Sequence, residues 1–182
     1  MLINFGNNLL VPILPLYAAG FDISYALIGL ILAGEGLGTL LADVPTGMMQ
    51  KRFGNKQVMM MGFVVATIST LSLFFVQSIW IVFILRLFAG FGKAMYGVSM
   101  HIYIANHVQL HQRGKAISIY GGVHRLGGFI GPAVGGIVAA AFGLRAPFLL
   151  FAVTGLIGLG FIALFTHNSK TKHKNDQEHE HS

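Results

Sequence analysis

Five ionisable residues lie inside stretches of the chain that are otherwise apolar. Two are acids and three are bases: Glu35, Asp43, Arg86, Lys93 and Arg125. A charge at the centre of a bilayer costs about 2.5–3.5 kcal/mol on insertion scales, so such residues usually face a protein interior or a wet cavity. The pattern therefore predicts a network of charges that borders a polar space.

Depth along each apolar stretch predicts which of these charges meet. Counted from the outer end of its stretch, Glu35 lies about nine residues deep and Arg86 about seven, which is within one helical turn at ~1.5 Å per residue. Asp43 and Arg125 are each about 17 residues deep on the same scale. We expect Glu35 to pair with Arg86 or Lys93, and Asp43 to pair with Arg125. A purely structural role is the alternative, because structural ion pairs also perturb ionisation.

A second set of polar residues has the chemistry of a small-molecule cavity. Such cavities are mostly apolar and carry a few polar groups that orient the ligand. Asparagines near the first residues and tyrosines in the fourth and fifth apolar stretches fit this description. They are Asn4, Asn7, Asn8, Tyr96, Tyr103 and Tyr120. We expect them to line the substrate cavity.

Metal and enzyme chemistry have weaker support. His107 and His111 are four residues apart, a spacing that can place two metal ligands on one helix face, but no Cys, Asp or Glu lies beside them. The chain has no cysteine. It also has no nucleophile elbow and no His-Glu-x-x-His motif. We expect no metal, no other cofactor and no enzymatic activity.

Six apolar stretches must position these residues, and each is close to the ~20 residues that a helix needs to cross a bilayer. The predicted helices are 2–20, 26–50, 57–76, 79–105, 115–142 and 146–166. The polar remainder, 167–182, is predicted to be a cytoplasmic tail or the start of a central loop. Only the second, fourth and fifth stretches carry ionisable residues. We therefore expect these three, with the asparagine-rich first, to border a polar space, and the third and sixth to face lipid.

Composition supports an integral membrane protein. The chain is 54% hydrophobic and only 10% charged, whereas soluble domains are about 25% charged. Its net charge of +6 is explained by lysines and arginines in the loops between the helices, so no nucleic-acid partner is expected.

The position of these loop cations predicts the orientation of the chain. Most of them fall on one side of the six helices, which the positive-inside rule identifies as cytoplasmic. These are Lys51, Arg52, Lys56, Arg113, Lys115, Lys170, Lys172 and Lys174. Both termini are expected in the cytoplasm, with the helices in the cell's inner membrane.

The fifth stretch contains an unusual glycine pattern. Gly127, Gly131 and Gly135 recur every four residues, so on a helix they form one stripe without side chains. Such a stripe lets a neighbouring helix approach backbone to backbone in lipid. Pro132 lies within the stripe and removes a backbone donor, and Gly136 doubles its last glycine. The pattern predicts a close helix crossing that serves as a pivot.

Four ordered motifs resemble the major facilitator superfamily, and within it the twelve-helix drug/proton antiporters. The glycine–proline stretch 127–136 is similar to the family's antiporter motif. The other three motif sets are Gly6, Pro12 and Pro15 in the first helix, Gly47, Arg52 and Gly54 before the third, and Arg86, Gly90 and Gly92 in the fourth. Two positions depart from the family's loop motif, since Lys51 replaces an Asp and Asn55 a basic residue. The first helix also lacks the acid that several members use to carry protons.

The resemblance implies one half of a secondary transporter that moves small molecules by alternating access. Residues 1–166 would form the first of two six-helix halves, with a missing second half or a second copy of this chain completing the path. The implied function is proton-coupled export of small lipophilic or amphipathic compounds, as in multidrug efflux. A proton-coupled importer of a small polar solute and a truncated, non-transporting membrane protein are the alternatives.

Overall fold

A computed structural model describes residues 6, 8–20 and 24–165 of the chain. The predicted positions Asn4, Asn7 and the tail 167–182 lie outside these residues. The helices are α1 (Ile13–Ala19), α2 (Tyr25–Phe53), α3 (Asn55–Ser72), α4 (Ile79–His107), α5 (Arg113–Phe142) and α6 (Ala146–Phe165), with a short 3₁₀ turn at Leu110–Gln112. Gly6 and residues 8–10 are also helical, and together with α1 they are called the first helix below. The described part of the chain has no strand.

Four of these helices are long and apolar enough to cross a membrane. They are Tyr25–Phe53, Ile79–His107, Leu110–Phe142 with its 3₁₀ turn, and Ala146–Leu164. The 18-residue α3 begins with the polar residues Asn55, Lys56 and Gln57, which lower its mean hydropathy. Its length of about 27 Å still approaches the ~30 Å hydrocarbon core. The predicted all-helical membrane fold is confirmed.

Glycine conformation and polar contacts define the turn between α2 and α3. Gly54 alone separates the two helices and has φ +85°, a left-handed conformation that side chains disfavour. Gln50 Nε2 donates to Ser99 Oγ at 2.9 Å, and Asn55 Nδ2 donates to the Ser99 carbonyl at 2.9 Å. Both ends of the turn are thereby tied to α4.

Helix α4 is the centre of the bundle because small residues let two neighbours reach its backbone. A Cβ atom added at Gly90 would overlap the backbone of Glu35 and Thr39 in α2. One added at Gly92 would overlap the backbone of Gly62 and Ala66 in α3. Residues two apart point to nearly opposite sides of a helix, so these two glycines seat α4 between α2 and α3.

Helix α3 then packs against α6 with its other side. The Cβ position of Gly155 meets Thr67, and that of Gly158 meets Phe63. Val58, Phe63, Ala66 and Thr70 of α3 are buried. The expectation that this helix faces lipid is therefore wrong for one of its sides, because a helix without ionisable residues can equally be buried among apolar neighbours.

Helix α1 is anchored near its C-terminal end by one tyrosine. The Tyr17 hydroxyl lies 3.0 Å from the Leu73 carbonyl and 2.8 Å from the Val76 carbonyl, in the turn after α3. Its ring meets Phe148 of α6 edge-on, with centroids 5.2 Å apart. Tyr17, Leu73 and Phe148 belong to one buried cluster whose other members include residues of α2 and α4. The cluster therefore holds α1 against α2, α4, α6 and the turn after α3.

Helix α5 lies at the edge of the bundle. Its buried residues are Gly127, Gly131 and Gly135, whereas Phe129 is 87% exposed. A Cβ atom on Gly131 would come within 2.8 Å of Asn8 Cβ. The expected close crossing at this stripe therefore exists, and its partner is the first helix. Pro132 lies within α5 without ending it.

Candidate functional site

The carboxylate of Glu35 lies between two bases of α4. Arg86 Nη2 donates to one carboxylate oxygen, Oε2. Lys93 Nζ donates to the other, Oε1, at 2.7 Å. The Glu35 and Arg86 side chains are only 12% and 8% exposed, whereas that of Lys93 is 42% exposed. The expected contact of Glu35 with α4 is present, and it involves both bases at once.

Local packing explains why these three side chains meet. Arg86 and Lys93 are seven residues apart, which is about two helical turns, so they lie on one face of α4. Gly90, between them, brings α4 against the backbone of Glu35. Thr39 Oγ1 lies 2.9 Å from the Glu35 carbonyl and 3.3 Å from the Gly90 carbonyl. The crossing of α2 and α4 thus sets the position of the carboxylate.

A cavity of about 540 Å³ opens beside this charge cluster. Its lining residues are Asn8, Leu10, Val11, Leu14, Pro15, Leu32, Glu35, Gly36, Arg86, Lys93 and His124. They belong to the first helix, α2, α4 and α5, which are the four helices expected to border a polar space. Among the lining residues, α3 and α6 are not represented. The walls are aliphatic on the side of the first helix and charged on the side of α4.

The cavity holds more positive than negative charge. Its lining contains one acid, Glu35, and two strong bases, Arg86 and Lys93. The Nε atom of Arg86 is buried and has no hydrogen-bond partner among the described residues. An unmade hydrogen bond at a buried donor is unusual in folded proteins. The Glu35 cluster therefore contains a buried donor without a partner among the described residues.

His124 is a cavity residue that sequence reasoning assigned no role. A histidine within an apolar stretch is more often a packing residue, and His124 alone gives no other signal. The available signal is its register, because His124, Gly127 and Gly131 are spaced by three and four residues and so share one face of α5. That face points to the first helix and the cavity.

The expected pair between Asp43 and Arg125 is not formed. Both side chains are exposed, and the described residues contain no ion pair between them. The buried side of α2 passes through Gly34, Gly38 and Ala42, and Asp43 is rotated about 100° from that line. Asp43 and Arg125 were expected at the same depth, but each lies on the exposed side of its helix.

None of the three tyrosines expected in the cavity is among its lining residues. Tyr96 is buried against Phe63 of α3, edge-on at 5.1 Å. Tyr103 stacks on His107 at 4.1 Å near the end of α4. Tyr120 is half-buried and lies between the rings of His101 and His124, at 5.9 and 6.3 Å. Asn8 lies in the cavity lining as expected.

The motif residues divide into those that pack and those that remain open. Gly6 receives Phe151 of α6, Pro12 is half-buried, and Pro15 lines the cavity. Gly47 and Gly136 have open space where a Cβ atom would be.

Arg52 has a different environment from these packing residues. It is exposed, and its guanidinium lies 5.4 Å from the centre of the Phe53 ring.

Known proteins match most of the chain. The sequence profile of the Major Facilitator Superfamily matches residues 1–182. An MFS-type transporter of Bacillus subtilis named YfkF is 30% identical over 176 residues, which are 97% of this chain and 44% of that protein. Multidrug resistance protein 2 of the same organism is 26% identical over 152 residues, 84% of this chain and 38% of that protein.

A solved structure shares the fold. The crystal structure of a D-xylose-proton symporter superposes with a TM-score of 0.76 at 19% identity, over 92% of this chain and 46% of that one. At this identity the likeness concerns the fold alone. The chain spans less than half the length of each of these three proteins.

Proposed function

The chain belongs to the Major Facilitator Superfamily, and we propose that it is one half of a proton-coupled transporter that exports small amphipathic compounds. The observation that carries the proposal is the cavity between the first helix, α2, α4 and α5, with Glu35 held by Arg86 and Lys93 at its wall. Intramembrane acids in such positions typically belong to proton relays. Glu35 would carry the proton, and the two bases would control its release.

Alternating access is the proposed mechanism. This six-helix unit would rock against a second unit and expose the cavity to each side of the membrane in turn. The glycine crossing between α5 and the first helix supports a role as pivot and seal, since it permits two backbones to slide without interlocking side chains. The similarity to a multidrug resistance protein supports export and an amphipathic substrate.

A second six-helix unit would complete the path. Leu40, Val44 and Met48 of α2 and Phe129 and Ile137 of α5 are 69–87% exposed, so a large apolar surface is available beside the cavity. Either a missing second half or a second copy of this chain would cover it, with both termini in the cytoplasm. The native mass of the chain in lipid nanodiscs distinguishes the two, because a self-assembled transporter has the mass of a dimer.

Proton-coupled import is a second candidate, favoured by the charge of the cavity. If Glu35 takes up a proton, Arg86 and Lys93 lose their partner, and the cavity gains affinity for an anion. Proton and anion would then bind together and travel in the same direction. A proton and a cation would instead exclude each other and travel in opposite directions, as export requires. The sign of the coupling therefore depends on the substrate's charge.

Proton movement in liposomes tests the proposal. The chain is reconstituted with a pH-sensitive dye inside, and a gradient of either ethidium or naphthalenesulfonate is imposed. We expect the gradient of one probe to drive protons across the membrane. Protons should move against the direction of the probe in exchange and in the same direction as the probe in cotransport. Glu35→Gln should abolish this coupling, whereas Asp43→Asn, an exposed acid of the same helix, should preserve it. If the chain has the mass of a dimer in nanodiscs, proton movement no faster than in empty liposomes would contradict the proposal and favour a non-transporting membrane protein.

A further inference from the structure

We infer that the cavity binds the anionic group of an amphipathic small molecule, with Lys93 and Arg86 as its partners. The identification of this molecule as the transported substrate rests on the second candidate function, proton-coupled import, because a proton and an anion would travel together, whereas its binding rests on neither candidate. The site consists of the charged α4 wall of the cavity and the aliphatic wall opposite.

The cavity lining carries an excess of positive charge. Glu35 neutralises one of the two α4 bases, so the described cavity lining has one positive charge in excess. His124 is the remaining titratable residue of that lining, and it adds positive charge when protonated. A ligand with a negative group would restore neutrality. A cationic ligand would add to the excess in a place where water screens charges poorly.

Unused hydrogen-bond donors are the second argument. The Lys93 ammonium has three N–H donors, and one is directed to Glu35. Because its side chain is 42% exposed, the other donors are accessible from the cavity. Arg86 is 7% exposed, and its Nε–H has no partner among the described residues. Both groups donate without accepting, so an oxygen of a carboxylate, sulfonate or phosphate group is the complementary ligand atom.

The opposite wall defines the rest of the ligand. Leu10, Val11, Leu14 and Leu32 line the cavity and offer aliphatic carbon to an apolar body. A volume of about 540 Å³ lies within the range of about 300–1,000 Å³ that is typical of small-molecule sites. The ligand class is therefore a small apolar scaffold that carries one anionic group.

Three probes of similar size and different charge test this inference. Naphthalenesulfonate, naphthylmethanol and naphthyltrimethylammonium are titrated against the chain in phosphatidylcholine nanodiscs, which contain no anionic lipid to compete. We expect the sulfonate to bind about tenfold or more tightly than the neutral alcohol, equivalent to about 1.4 kcal/mol, and the ammonium probe to bind most weakly. Equal or tighter binding of the ammonium probe, or no binding of the sulfonate, would overturn the inference.

Two lysine variants assign the preference to the cavity. Lys93→Met removes the excess charge while Arg86 stays paired with Glu35, and the preference for the sulfonate should fall to about that of the alcohol. Lys115→Met removes an exposed lysine in the first turn of α5 and should leave the preference unchanged. An unaltered preference in Lys93→Met, or an equal loss in both variants, would contradict the proposed site.

Failure of the anion site can be distinguished from failure of the proposed transport function. For a chain that is dimeric in nanodiscs, sulfonate binding without proton movement in liposomes would support the anion site and overturn the transport proposal. Proton movement driven by ethidium, without sulfonate binding, would support transport and overturn the anion site.

Discussion

Glycines bring helices together in two regions of this protein, with different consequences. At α4, Gly90 and Gly92 face two neighbours, and polar contacts reinforce the packing at Thr39, Glu35 and Ser99. At α5, Gly131 and Gly135 face one neighbour, at Asn8 and Leu9, and most of the helix is exposed. The first region has the contacts of a rigid core, and the second those of a movable element.

The cavity lies between these two regions. Glu35, Arg86 and Lys93 belong to the rigid α2–α4 unit, whereas His124 and Asn8 lie on the helices that cross at the α5 stripe. A movement of α5 along the first helix would change the cavity without displacing the charge cluster. Under the proposed function, access to Glu35 would change while the α2–α4 crossing that positions it stays packed.

The largest expected effect is the loss of the core crossing. Gly90→Leu would drive a side chain into the backbone of α2, and we expect destabilisation of about 4 kcal/mol or more. Thermal unfolding in detergent measures it. Gly97→Leu is the control, because Gly97 is on the same helix with open space around its Cβ position. Equal stability of the two variants would contradict the assignment of α4 as the rigid centre.

Removing one base from the buried cluster should have the next largest effect. Arg86→Met leaves Glu35 with a single partner, and breaking a buried pair costs about 3–5 kcal/mol. We expect the lower end of that range, since Lys93 still holds the carboxylate. Unfolding of Arg86→Met and of the double variant Arg86→Met/Glu35→Gln is compared. If the second substitution recovers no stability, the pair is not coupled as described.

The α5 stripe should affect movement more than stability. Gly135→Val would overlap the Leu9 backbone, and we expect a loss of about 2 kcal/mol, because the rest of the bundle remains intact. Proton coupling in liposomes should fall more steeply than stability. Gly136→Val, with open space at its Cβ position, is the control. A stability loss as large as that of Gly90→Leu would remove the distinction between the two regions.

The smallest expected effect is at the exposed acid. Asp43→Asn should change the free energy of unfolding by about 0.5 kcal/mol or less, as is usual for exposed positions. Arg125→Gln should behave in the same way, since that side chain is also exposed. Double-mutant analysis of the two substitutions measures their coupling. Coupling well above this size would indicate that the two residues do pair.

Sequence reasoning located the helices more reliably than it located the site. The predicted spans and the observed helices agree to within a few residues at most ends, because apolar length and turn glycines such as Gly54 and Gly143 act locally. The contact of Glu35 with α4 was also predictable, since few charges share that depth. By contrast, Tyr96 was expected in the cavity but packs against Phe63, and His124 had no expected role but lines the cavity, because nothing local distinguishes a cavity residue from a packing residue.

The sequence by itself determined the membrane class, the order of the helices, the family motifs and the position of each charge along its helix. All of these depend on composition and on a constant rise per residue. Only the tertiary structure decided which way each helix faces. It turned Asp43 and Arg125 outward, Tyr96 toward Phe63 and His124 toward the cavity. The physical reason is that rotation about a helix axis is set by the neighbours that pack against it, and here those neighbours are positioned by a few glycines.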